Sequence, residues 1–187
     1  MRYQKNGFTL IELMVTLVVV AIVLSIAIPS FQSQILNNRS ITLGEDFASA
    51  INFARSEAVK RGKRVTLCAS DDGSLCAGDW VDGFIVVVDH ATTDKAAAPV
   101  LTDSSHAEST ILRVWGKQDS RAVIKATRDD SDVTFLRYTT LGTLARIDEN
   151  PIIIETEMQN CTGDSARTIT IGLSGLVSLE RKACTVN

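Results

Sequence analysis

FTLIELMVTLVVVAIVLSIAI, residues 8–28, is a run of 21 residues with a single ionisable side chain, Glu12. A helix of about 20 apolar residues spans the hydrocarbon of a bilayer. Such a run also fits a cleaved secretory signal or a buried core helix. Arg2 and Lys5 precede it, and Ser25 to Ala27 imitates a small-x-small cleavage site. Against the secretory reading stand the length of the run and the charge near its start. Against the core helix stands the lack of a polar side from Leu13 to Leu24, where Thr16 is the sole interruption. The run therefore reads as a permanent transmembrane helix. Residues 30–38 after it carry no charge, so the basic flank places Met1 on the cytoplasmic side and the remainder across the membrane.

A carboxylate within a membrane helix costs roughly 2.5 to 3.5 kcal/mol at the helix centre, and such groups usually serve a function with a partner. Glu12 is close enough to the start to remain wet at the interface. The alternative begins with Gly7. Cleavage of the Gly7–Phe8 bond would leave a free amine on Phe8, four residues from the carboxylate and at similar depth. Within one helix that anion sits near the positive N-terminal end. Between chains, amine and carboxylate would neutralise one another and fix the register of adjacent helices.

The apolar pattern continues past Pro29, where a proline can bend or open a helix. Ile35, Leu43, Phe47, Ile51, Ala54 and Ala58 recur mostly at intervals of three or four, with Arg39, Glu45, Asn52, Glu57 and Lys60 opposite. Gly44 weakens this helix slightly, and Gly62, behind a basic last turn, suits its end. From Phe8 to Gly62 the helix would be about 80 Å long.

Beyond it the sequence divides into short β-rich segments. These are residues 64–68, 80–89, 111–116, 122–126, 133–139, 152–157, 167–172 and 176–180, a density that argues for antiparallel sheets. Residues 89–110 are polar and alanine-rich and read as an exposed loop with room for a short helix. The chain divides into a leader (residues 1–7), an N-terminal helix (8–62, with 8–28 transmembrane) and a β-rich domain (63–187).

The net charge of −3 supplies no general basic field, so nucleic acid is not the default partner. The four cysteines, Cys68, Cys76, Cys161 and Cys184, all follow the apolar run, as suits a domain in an oxidising compartment. Of the three possible connectivities, proximity favours Cys68 with Cys76, which leaves Cys161 with Cys184. Buried thiols or zinc are the alternatives, but the spacings lack a C-x-x-C knuckle and no metal is expected.

Enzymatic signatures are wanting. There is no phosphate-cradling G-x-x-x-x-G-K, and Gly172–Gly175 misses the nucleophile elbow because Leu176 occupies its last position. His90 and His106 lie in or beside the polar loop. Arg128–Asp132 lacks the glycine and distal glutamate of a calcium loop and reads as a solvated acidic turn.

The leader ending in Gly7, the "FTLIEL" that follows with Glu12 fifth after the break, the apolar helix and Pro29 together resemble the class III signal of type IV pilins and type II secretion pseudopilins. That resemblance implies cleavage between Gly7 and Phe8 by a prepilin peptidase, N-methylation of Phe8, and packing of the helices into a filament. It also implies attraction of Glu12 to the Phe8 amine of a neighbouring subunit.

Residues 52–68, 78–89, 135–144 and 169–179 are similar to the FimT/FimU minor pilins and GspH pseudopilins. The fold so implied is α+β, a lollipop with one long N-terminal helix under two small antiparallel sheets. The implied role is a non-enzymatic minor pilin, FimU-like, that primes assembly at the tip of a type IV pilus. Its partners would be minor and major pilins, its anchor inner-membrane lipid, and its domain periplasmic; no cofactor is implied. A GspH-like pseudopilin of type II secretion is the alternative, and a FimT-like DNA-binding pilin the second. The basic GRxR of the latter is missing, since residues 175–178 read GLVS, although Arg181 and Lys182 follow. The irregular residues 78–110 are expected to carry partner identity.

Overall fold

The computed structural model describes residues 8–102, 111–145 and 150–185. The leader with Arg2, Lys5 and Gly7, and His106, lie outside the described residues.

One helix, α1 (Leu10–Arg61), carries the apolar run and the amphipathic stripe without a break through position 29. It begins at Leu10, not Phe8, because Thr9 is its N-cap: the Thr9 side chain accepts the Glu12 backbone N–H at 3.2 Å. The T-x-x-E spacing of Thr9 and Glu12 is that of a capping box. At the other end Gly62 turns into the left-handed region (φ 60°), and its N–H bonds the Val59 carbonyl. Glycine closes helices this way because it bears no Cβ penalty there.

Among the described residues nine strands follow: β1 (Val65–Ala69), β2 (Phe84–Val88), β3 (Ile111–Trp115), β4 (Ala122–Arg128), β5 (Ser131–Asp132), β6 (Phe135–Tyr138), β7 (Ile152–Met158), β8 (Ala166–Ile171) and β9 (Val177–Lys182). They form two antiparallel sheets, one ordered β3-β2-β1-β6 and the other β5-β4-β7-β8-β9. The architecture is the expected α+β arrangement of one long helix packed with two small sheets.

The core lies where both sheets meet the outer half of α1. Phe47, Ile51, Ala54 and Ala58 of the helix pack with Leu67, Phe84 and Tyr138 of the first sheet and Ile152, Ile154, Ile169 and Ile171 of the second. Strand alternation explains the selection: Ile152 and Ile154 point inward while Ile153, between them, is exposed. Phe47 meets the rings of Trp80 and Phe84 edge-on at 5.2 and 5.0 Å. Two positions of the expected stripe pattern differ. Ile35 is exposed, because the sheets reach down only to about Ser40, and Glu57 is buried, held by Arg61 at 2.6 Å.

Gly44 has a reason beyond helix propensity. A Cβ there would lie 2.6 Å from Cβ and Cγ of Arg167 and 2.8 Å from Oγ1 of Thr156, so the glycine lets α1 approach the second sheet.

Two segments depart from the sequence pattern. The second strand starts at Phe84 rather than residue 80, because Asp79 to Asp82 close a turn and Trp80 donates from its ring to the Val133 carbonyl at 2.7 Å. The Arg128–Asp132 stretch is a hairpin instead of a simple turn. Asp129 and Asp130 take positive φ (50° and 59°), and β5 pairs back on β4.

Residues 89–110 are also not simply an exposed loop. Asp89 and Ala91 are buried, and among the described residues 89–102 there is no helix. This segment lies over the outer face of the first sheet. There Cys68, Ile85 and Val87 form a separate apolar cluster with Leu101, Ile111 and Phe135.

Candidate assembly interface

The apolar half of α1 packs against nothing else among the described residues. Phe8, Leu10 and Ile11 are 82%, 75% and 66% exposed, and the most apolar window has a mean hydropathy of 2.8 with none of it buried. Exposing this much hydrocarbon to water is untenable for a folded protein, so lipid or other helices must cover it. Glu12 sits at the third helical position of this face. Its backbone N–H is satisfied by Thr9, and the unpaired amides of the first turn favour an anion nearby. Sequence reasoning passed over Thr9 although the T-x-x-E spacing signals it. The structure thus places Phe8 and Glu12 at the same end of the helix, with Phe8 two residues ahead of its start.

The cysteines are joined as Cys68–Cys76, eight residues apart, and Cys161–Cys184, 23 residues apart. The first closes a loop in which Asp72 accepts from the Ser74 hydroxyl, from the Leu75 and Ser74 amides and from Ser70; these bonds lower its carboxyl pKa to about 2. The second ties the end of β9 to the turn after β7. Glu157, beside it, accepts the Thr185 amide and hydroxyl, both at 2.8 Å, and anchors the C-terminal segment. Glu157, Cys161 and Cys184 lie within 4.8 Å of one another, the spacing of a metal site. They do not fit one, because both sulfurs are consumed by the disulfide and the carboxylate by Thr185.

Arg181 and Lys182 end β9, but they are not an equivalent basic pair. Lys182 Nζ binds Glu155 at 2.6 Å, which leaves Arg181 as the exposed cation. His90 is intermediate in exposure, and its backbone N–H donates to the Val100 carbonyl at 2.8 Å.

Below the domain, between α1 and β4, runs a groove of about 460 Å³. Ile35, Leu43, Ala122 and Met158 line it with Asp46 and Asp119. Asp119 is bonded by the Arg121 amide and then by the Arg121 guanidinium, which with Arg39 hold its carboxyl below the usual range.

Comparison with known proteins bears on these features together. Residues 43–175 match the family described as Type II transport protein GspH, and residues 2–28 match the Prokaryotic N-terminal methylation motif. A crystal structure of the type IV minor pilin FimU of Pseudomonas aeruginosa (strain PAO1) is similar at 26% identity and a TM-score of 0.53, covering 80% of this chain and 95% of that one. A second crystal form of the same protein aligns at 24% identity and a TM-score of 0.49, over 78% of this chain and 97% of that one. No curated protein sequence matches the chain significantly.

Proposed function

From the premise that this chain belongs to the GspH family, a non-enzymatic family of pilin-like structural subunits, we propose that it is a minor pilin that primes a type IV pilus and is incorporated at its tip. The observation that carries the reading is the bare apolar half of α1 with Glu12 in its first turn. Lateral packing of such helices covers the hydrocarbon that the chain cannot cover itself.

In this reading residues 1–7 are a leader removed by a prepilin peptidase between Gly7 and Phe8, and Phe8 is then N-methylated. Residues 8–28 rest in inner-membrane lipid before assembly, and residues 63–187 fold on the periplasmic side. Glu12 draws the Phe8 amine of the neighbouring minor or major pilin into register. Pro29 marks where the helix leaves the lipid. Likeness of the domain to a solved type IV minor pilin supports the pilus over the secretion machine. The family match over residues 43–175 keeps a pseudopilin role in type II secretion as the second reading. DNA uptake has less support, since Lys182 is already paired with Glu155.

Mass spectrometry of the mature N-terminus tests this reading. The expected product starts at a methylated Phe8. An intact leader, or a terminus beginning after Ala27, would refute it. Deleting the gene then separates the machines: loss of surface fibres with secretion intact fits the pilus, and the converse fits the pseudopilus.

A further inference from the structure

At the end of α1 farthest from the membrane half, two turns lock onto the helix. Arg55 Nε donates to the Gly142 carbonyl at 2.9 Å, and a Cβ on Gly142 would lie 2.6 Å from Cγ2 of Val59. Gly175, at the β8–β9 turn, lies so near that a Cβ on it would collide with the Gly142 carbonyl oxygen. Leu144 N–H completes the lock by donating to the Leu173 carbonyl at 3.2 Å. The residues beside these glycines are not hidden. Val59, Leu141 and Leu176 are 55%, 81% and 61% exposed. Leucines at the tips of two turns, held rigid by backbone contacts, are a preorganised apolar surface that costs stability unless something covers it.

The rest of the chain indicates what covers it. Lys63, which follows the Gly62 cap four residues after Val59, is exposed and has no carboxylate partner among the described residues. The groove at the opposite end of the domain has an apolar floor of Leu43, Ala122 and Met158 and an exposed carboxylate, Asp46, that likewise has no cationic partner among the described residues. Asp46 and Val59 are about 20 Å apart along the helix, at 1.5 Å per residue. An apolar knob with a cation at one end and an apolar groove with an anion at the other are the two halves of a head-to-tail contact, the kind that propagates as an open fibre.

We propose that Val59, Leu141 and Leu176, with Lys63 at their rim, form the docking surface for the groove of the next pilin-fold subunit along the fibre. This rests on the reading of the chain as a fibre subunit and adds to it the surface used in the axial contact.

A photoreactive phenylalanine placed at Leu141 in the full-length chain, in assembling cells, tests the proposal by mass spectrometry of the joined peptides. A second one at Leu75, exposed at the Cys68–Cys76 loop, serves as control. Position 141 should join to the membrane-proximal groove of a pilin-fold subunit, this chain included, and position 75 should not. Joining only to lipid, only to a protein of another fold, or to nothing overturns it. In parallel, Leu141→Asp with Leu176→Asp should fold normally and lower recovery of the chain in sheared fibres at least about tenfold, as expected when charges enter an apolar contact. If Glu12→Ala abolishes incorporation while the double variant assembles normally, the docking surface falls and the fibre reading stands. If both assemble normally, the docking surface falls and the fibre reading stands; if the unaltered chain is absent from sheared fibres, the fibre reading falls first and the docking surface with it.

Discussion

Arg137 Nε and Asp89 Oδ2 are 2.7 Å apart, and neither side chain has any exposure to solvent. The pair sits on the outer face of the first sheet and organises the segment above it. Arg137 also donates to the carbonyls of Asp94, Ala96 and Ala98, while Asp89 accepts from the Thr66 hydroxyl and from the Ala91 and Val100 amides. One guanidinium thus holds a strand end and a loop in a single hydrogen-bonded unit. Burying two charges costs several kcal/mol each, and this geometry offsets it by filling the donor and acceptor sites.

Removing Arg137 strands the Asp89 charge and frees three carbonyls. Arg137→Ala should therefore destabilise the chain by about 3 to 5 kcal/mol, the range for breaking a buried pair. Arg64→Ala offers the contrast, since Arg64 meets Asp94 at 2.6 Å but both are partly exposed, and a loss below about 1 kcal/mol is expected. Urea unfolding of both variants in detergent measures the difference. Equal losses would show that the buried pair is not the organising contact.

The same carboxylate gives a pH dependence. Burial opposes ionisation of Asp89, but the donors from Val100, Thr66, Arg137 and Ala91 outweigh it, and the folded pKa lies below the ordinary value. A lowered folded pKa means added stability that is fully present above the unfolded value of about 3.9 and lost as the pH falls through the folded one. The urea midpoint should stay level from about pH 7 to 5 and drop below about pH 4. In Asp89→Asn that drop should be shallower, and an unchanged profile would assign the acid sensitivity to other carboxylates.

None of this unit is readable locally, because Arg137 and Asp89 are 48 residues apart and the loop is held through backbone carbonyls, which composition does not report. The helix was legible for the opposite reason. Phe47, Ile51, Ala54 and Ala58 are brought to one side by a period fixed within the element itself. Ile35 broke the pattern since periodicity shows which side faces inward and not how far the sheets extend. The strand β5, two residues long, is too short to carry alternation, and only the paired aspartates of its turn signalled it. At the site, Glu12 and the apolar run stand out as a charge in the wrong solvent. The Val59, Leu141 and Leu176 surface comes from three elements and has no sequence signature.

The two disulfides should differ in worth. In the chain-entropy picture closing the 23-residue span stabilises by about 3.4 kcal/mol and the eight-residue span by about 2.5 kcal/mol. Cys161→Ser with Cys184→Ser should accordingly lower the unfolding midpoint more than Cys68→Ser with Cys76→Ser. The first change also frees the segment that Glu157 holds through Thr185, which widens the gap. A larger loss from the shorter bridge would mean that its cover over Ile85 and Val87 outweighs loop closure.

Gly44 sets local propensity against packing. Alanine is favoured over glycine in a helix interior by about 0.8 to 1.0 kcal/mol. The added methyl would nevertheless meet Arg167 and Thr156 below 3 Å, and the first contact is with Cβ and Cγ near the backbone of a central strand. Gly44→Ala should thus destabilise the chain by about 1 to 3 kcal/mol, the usual cost of overpacking, in spite of better helix propensity. A stabilised variant in thermal unfolding would show that α1 can move off the sheet at little cost.

Glu12→Ala removes the one carboxylate of the apolar run and should leave insertion intact, since it makes the segment more apolar. Assembly is another matter. If Glu12 draws in the Phe8 amine of a neighbour, its loss leaves a cation without a mate at membrane depth, and incorporation into fibres should fall steeply. Arg181→Ala with Lys182→Ala is the matched control, for these side chains end an edge strand far along the chain from that contact. It should change only the Glu155 pair and leave assembly as it was. Cell fractionation reports insertion, and immunoblots of sheared fibres report incorporation. Full incorporation of the Glu12 variant would show that apolar packing of the helices suffices, and that the carboxylate serves only the first turn capped by Thr9.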